Sequence, residues 1–183
     1  MRRLAATATL LVATVISACS EGSEVLEPGE TTRPSPSVSN RVDPPSPPAT
    51  VDERDESGAA TFAYYWAQVS DYAALTGNVS VLQEISSPSC SACQRFIDLY
   101  RTTHEDGGWF RGGGQSFSKV SVRKHSSRKF FVYAQVTADD AKYKANARTE
   151  PKTERGGRDN VVYTVTWVDG RWLMQHQALE GER

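Results

Sequence analysis

Cys90 and Cys93 stand three residues apart in SPSCSACQ, residues 87–94. That spacing serves three chemistries. On a helix, positions i and i+3 are neighbours with Cβ atoms ~5–6 Å apart, and a small distortion closes a disulfide between them. A thiol near a helix start is stabilised as thiolate by the helix dipole and the unpaired N–H groups, which suits redox exchange. A cysteine pair is also half of a zinc site, which needs four ligands. His104, His125 and His176 are scattered and no second cysteine pair exists, so no metal is expected. A redox pair belongs after a buried strand in a βαβ unit, and the residues around this one do not read that way. A structural disulfide is the leading reading, with thiol-redox chemistry as an alternative.

Charge offers a second kind of chemistry. The net charge is −1, yet residues 20–60 carry nine acids against three bases and residues 101–158 carry thirteen bases against six acids. Arg123, Lys124, Arg128, Lys129, Lys142, Lys144 and Arg148 form a candidate basic surface. Such a field attracts an anionic cell-envelope polymer, lipid headgroups or an acidic protein partner; a solvated surface offset by the acidic stretch is the plainer reading. No nucleic-acid recognition motif is present, so no nucleic acid is expected. GWFRGGGQ, residues 108–115, lacks a phosphate-loop lysine and reads as a flexible connector.

The elements that must position these residues follow from periodicity. In AATFAYYWAQVSDYAALTGN, Phe62, Tyr65, Trp66, Val69 and Ala73 recur at three- and four-residue steps, an amphipathic helix ended by Gly77. Asn78 suits the start of a short helix, VSVLQEI. Ser87 as N-cap and Pro88 at the first helical position predict a third helix, ending near His104. Strand alternation then takes over. RKFFVYAQVTA sets Phe130, Val132, Ala134 and Val136 on one face, and NVVYTVTWV does the same with Val161, Tyr163, Val165 and Trp167. Asp169-Gly170 turns the chain into RWLMQHQAL, a strong hairpin signal. QSFSKVSVR adds a strand bulged near Ser118, and a long polar loop spans residues 139–159. The expectation is an α+β fold, with three N-terminal helices packed on a curved antiparallel sheet of about four strands.

The chain opens MRRLAATATLLVATVISACSEG. Two arginines precede a largely apolar stretch of thirteen residues, 4–16, too short to span a bilayer, which takes ~20, and suited to a secretory signal. Ile16-Ser17-Ala18-Cys19 resembles a bacterial lipobox, with isoleucine where leucine is commoner. This implies a signal peptide at 1–18 and an acylated Cys19, carrying more than one chain because one alone anchors weakly. The membrane, reached through that anchor, would be the first partner, and the location the extracytoplasmic face. Seven of the nine prolines fall within residues 20–57, a composition that cannot bury enough apolar surface to order itself. Residues 19–57 are therefore expected to be the lipidated cysteine and a disordered spacer, and 58–183 a single domain.

The leading aromatic helix and the final NVVYTVTWVDGRWLMQHQ hairpin resemble the nuclear-transport-factor-2-like, or cystatin-like, cone family over most of residues 58–183. With the lipobox, the spacer and SSPSCSACQRFID, the whole chain resembles an uncharacterised actinobacterial lipoprotein family of the domain-of-unknown-function kind. The resemblance implies a place and a shape and no activity. Cone folds often hold a pocket between sheet and helices, and some relatives are acid–base enzymes. Tyr65, Asp71, Tyr72 and His176 are the candidate pocket residues here, His176 because it shares a strand face with Trp172 and Met174. No dyad is marked among them, so no catalytic residue and no cofactor is assigned. A non-catalytic binding domain is the leading expectation, and a pocket enzyme the alternative.

Overall fold

The computed structural model describes residues 42–181. The chain divides into two units, Met1–Ser39 and Asn40–Arg183, and all the described residues belong to the second. The expected signal peptide, Cys19 and the spacer as far as residue 41 lie outside them.

Helix α1, Glu56–Thr76, starts where the Asp55 carboxylate accepts the Gly58 N–H at 3.0 Å. It stops at Gly77, whose φ of 74° only glycine adopts without strain. Phe62, Trp66, Val69 and Ala73 form its buried stripe. Helix α2, Ser80–Glu84, follows with Asn78 accepting the Ser80 N–H.

Helix α3 is Ser91–Glu105, capped by Cys90 rather than Ser87. The reason is a competing backbone demand. Ile85 and Ser87 exchange hydrogen bonds with Met174, which bridges Ser86 to β7 in parallel fashion. The chain then turns, closed by Cys90 N–H to Ser87 O at 2.9 Å, and a helix forms only after that.

Strands β1 (Trp109–Gly112), β2 (Gln115–Lys124), β3 (Lys129–Ala138), β4 (Ala141–Lys144), β5 (Lys152–Glu154), β6 (Gly157–Val168) and β7 (Arg171–Leu179) make two antiparallel sheets. The larger has the order β2-β3-β6-β7 and the smaller β1-β4-β5. Two expectations change here. GWFRGGGQ is not a connector throughout, since it supplies β1, and the polar 139–159 stretch supplies β4 and β5. These strands are three or four residues long, too short for alternation to show in sequence. They are held because Phe110 stacks on Tyr143 and meets Tyr100 edge-on.

The larger sheet matches its pattern. Phe130, Val132, Ala134 and Val136 are buried towards α1, with Tyr163, Val165, Trp172 and Met174. The register slips between Ser118 and Ser121, the bulge expected in β2. A second slip, between Thr164 and Val165, leaves Gln175 as the extra residue of β7, so His176 pairs with outward-facing Thr164. A bulge reverses which side chains face the core. His176 is exposed, and its expected inward placement is corrected.

The ordered chain also reaches further upstream than residue 58. Residues 42–55 form a strap, with a 3-10 turn at Ala49–Asp52. Tyr65 OH donates to Pro45 O, Trp172 Nε1–H to Glu53 O, and the Arg54 guanidinium to Ser127 O. Proline stiffens the unbound chain, so docking it costs less entropy than its lack of aliphatic residues suggests. Val51 packs on the core.

Gly58 sits under this strap, where an added Cβ would run into the Glu53 carbonyl oxygen. Gly58→Ala should loosen the strap at a cost of ~1–2 kcal/mol, the scale of one or two hydrogen bonds. Limited proteolysis reads this as faster cleavage within residues 42–55 with the helical signal unchanged. An unaltered cleavage rate would mean the strap is held independently of this contact.

Candidate functional site

Cys90 and Cys93 are joined by a disulfide with Cα atoms 5.2 Å apart. Both residues are 0 % exposed and belong to the core. The Cys90 sulfur also accepts the Cys93 N–H at 3.2 Å, as a helix cap. A redox centre needs a thiol that a partner can reach, and this pair is sealed beneath α3 and its neighbours. The arrangement fits a clip that fixes the entry of α3.

Asp71 lies on the side of α1, half-buried, facing β2. Its Oδ2 accepts the Gln115 backbone N–H at 3.0 Å and its Oδ1 the Gln115 Nε2–H at 2.9 Å. Burial raises the Asp71 pKa, the two Gln115 hydrogen bonds pull it back, and the Asp139 charge adds to the rise. Burial raises the pKa of Tyr163 as well, with the Asp71 charge contributing. Tyr100, raised mainly by burial, bonds to Ser70 at 3.2 Å. The Asp71 charge thus adds to the rise at both core tyrosines, Tyr100 and Tyr163, while both its oxygens are committed to Gln115.

The four expected pocket residues do not meet. Asp71 and Tyr72 line one cleft of about 520 Å³, with Asp43, Tyr64, Leu75 and Gln115. Tyr65 lines a separate groove of about 300 Å³, with Trp167 and Trp172. His176 is on the outward face of the larger sheet and lines neither. Phe62, Trp66, Phe130, Val132, Val165 and Met174 fill the space between helix and sheet. Among the described residues, no group of three or more His, Cys, Asp or Glu side chains is placed to hold a metal, and no helix is long and apolar enough to cross a membrane.

A family model, DUF6318, described as a family of unknown function, matches residues 27–178. The chain belongs to the DUF6318 family. No curated protein matches it. The intermembrane-space region of the chloroplast protein ARC6 shares its fold, with a TM-score of 0.54 at 15% identity over 69% of this chain and 97% of that one. An uncharacterised Caulobacter vibrioides protein with a cystatin-like fold has a TM-score of 0.41 at 13% identity, over 67% of this chain and 84% of its own. An NTF2-like protein with a cystatin-like fold from Novosphingobium aromaticivorans has a TM-score of 0.41 at 10% identity, over 68% and 81%. The α+β class expected from the sequence is the class of this DUF6318 domain.

The basic residues of the DUF6318 chain fall into two groups. Arg123, Lys124, Arg128 and Lys129 surround the β2–β3 hairpin, with Arg123 over the Tyr133 ring and Lys124 over Phe130. Lys142 and Lys144 are on β4 and Arg148 just beyond, past the other end of β3. The ten residues of β3 put about 30 Å of strand between the groups, so the expected basic surface is two surfaces. The second contains residues not singled out before. Arg111 pairs across with Lys142 and Trp109 with Lys144, and the Arg111 guanidinium lies 4.3 Å from the Trp109 ring centre. Trp-x-Arg and Lys-x-Lys, each at a two-residue step, were the signal in the sequence.

Two outcomes follow. Replacing Cys90 and Cys93 together by alanine should cost ~2 kcal/mol, the loop-entropy scale for so short a bridge, in denaturant melts; native-state alkylation of the parent protein should find neither thiol free. Asp71→Ala strands the Gln115 N–H and should cost ~1–3 kcal/mol, whereas Asp71→Asn keeps an acceptor. The folded carboxyl holds its proton more tightly than the unfolded one. The parent protein should therefore gain stability relative to Asp71→Asn as pH falls through the raised folded pKa towards the ordinary aspartate value of about 4, and the gain should level off below that. Urea melts from pH 7 to pH 4 check the sign.

Proposed function

We propose that this chain is an extracytoplasmic lipoprotein, held to a membrane by acylated Cys19, whose folded domain is non-catalytic and binds an anionic cell-envelope polymer. The observation that carries the binding half is the face of the β1-β4-β5 sheet bearing Trp109, Arg111, Lys142 and Lys144. Arg111 and Lys142 are directly opposite one another, a placement that weakens a sheet unless something neutralises it. The ion pairs among the described residues are Arg101–Asp98 and Arg171–Glu84, neither on this face. A polymer with regularly spaced anionic groups supplies the missing charge, and Trp109 gives it a flat surface. The lipobox-like residues 16–19 support the anchoring half.

The non-catalytic reading has its own support. Asp71 is the acid whose environment is most altered among the described residues, and both its oxygens are held by Gln115. His176, the expected acid–base partner, faces away from it, and Asp139, which shares its cleft, brings only a like charge.

Titration of the purified protein with polyphosphate should show saturable, salt-sensitive binding. Changing Arg111 and Lys142 together to glutamine should lower the slope of log affinity against log salt by about two units, while changing Arg123 and Lys124 should leave it nearly unaltered. In cells, Cys19→Ser should move the protein out of the membrane fraction. Equal losses from both basic pairs would make the attraction a general one and remove the assignment to this face.

A further inference from the structure

The groove beside the strap is a different kind of site. Its walls are the strap itself, α1 at the buried Tyr65, the end of α2 at Glu84, and the β6–β7 hairpin at Trp167 and Trp172. Trp172 is committed to the core, with its indole N–H given to Glu53 O and its ring against Phe130 at 5.3 Å. Trp167 is not so committed. It is half-buried and stands edge-to-face on Trp172 with ring centres 5.1 Å apart. Two carboxylates, Asp52 from the strap and Glu84 from α2, line the same groove. Burial raises the Tyr65 pKa and the Glu84 charge raises it further, so the negative field of Glu84 is felt inside the groove. Among the described residues, Arg171 is the one cation that lines the groove, and it meets Oε1 of Glu84 at 3.4 Å.

We infer that this groove binds an organic ammonium ion carried on a short apolar stem. Aromatic faces attract a cation through their quadrupole and accept its alkyl groups, and nearby carboxylates set the sign of the charge. The volume of about 300 Å³ suits a group of ten or so heavy atoms, at roughly the 30 Å³ a water molecule occupies in the liquid. Arg171 occupies the charge without occupying the aromatic wall, so it competes with the ligand rather than replacing it. The site is independent of the basic sheet face, and it would bind whether or not that face binds a polyanion.

Choline and its uncharged isostere 3,3-dimethylbutan-1-ol separate charge recognition from simple hydrophobic filling. Tryptophan fluorescence and calorimetric titrations of the purified protein should show saturable choline binding, at least about tenfold tighter than the neutral isostere, a gap of ~1.4 kcal/mol. Changing Asp52 to Asn and Glu84 to Gln together should abolish that preference and leave the isostere's affinity as it was. Arg171→Gln should tighten choline binding, because it frees Glu84; a groove whose Arg171 is merely structural would show no gain. Melting curves confirm that each variant is folded, and all three positions are exposed. Equal affinity for the two compounds, no saturation by choline, or choline binding indifferent to both acids would each overturn the assignment.

Discussion

Trp172 touches four parts of the domain at once. Its ring lies against Phe62 of α1, Phe130 of β3 and Trp167 of β6, and its N–H is spent on the strap carbonyl of Glu53. The indole can make all these contacts because its body is apolar and its one donor sits at the edge. The helix layer, the sheet and the upstream chain are thereby referred to one side chain. What remains open on the surface is set by what this contact leaves over: Trp167 has a free flank, and a groove opens beside it.

Charge is arranged by the same economy of space. The interior admits almost no ionised group, since Asp71, half-buried, keeps its place only through Gln115 and still meets a desolvation cost. Everything else charged is pushed outward and sorted by element. Cations gather on β4, at the β2–β3 hairpin and on β1, while acids line the clefts beside the strap and beside Asp71. A domain of nearly balanced total charge thus presents faces of opposite sign.

The long elements were legible because burial imposes a period on them. Residues 130–136 alternate, and the α1 stripe repeats every three or four positions, over enough residues for the pattern to be unmistakable. Gly77 and the Asp169-Gly170 turn were legible for a local reason, the backbone angles they supply. Three things were hidden. Helix α3 starts late because Ile85 and Ser87 answer to Met174, nearly ninety residues away, which no local capping rule contains. His176 turns outward because of one extra residue in β7, and a single bulge inverts an alternation that otherwise reads well. The strap and the small sheet are held by contacts to distant aromatic rings, while their own composition is polar or proline-rich. The candidate site suffered accordingly. Asp71 and Tyr72 share a cleft as adjacent helix residues can, but the pairing of Trp109 and Arg111 with Lys144 and Lys142, and the groove Trp167 shares with the strap, showed only when distant segments were laid side by side.

The strap's attachments have a mechanical side. Its contacts at Pro45, Val51, Glu53 and Arg54 follow one another along the chain. A force drawing residue 42 straight off the surface loads these contacts one after another, like a strip of tape lifted from its end. A force along the strap loads them together and meets their combined resistance. The direction of pull, and not only its size, decides how readily the wall that carries Asp52 comes away from Trp167.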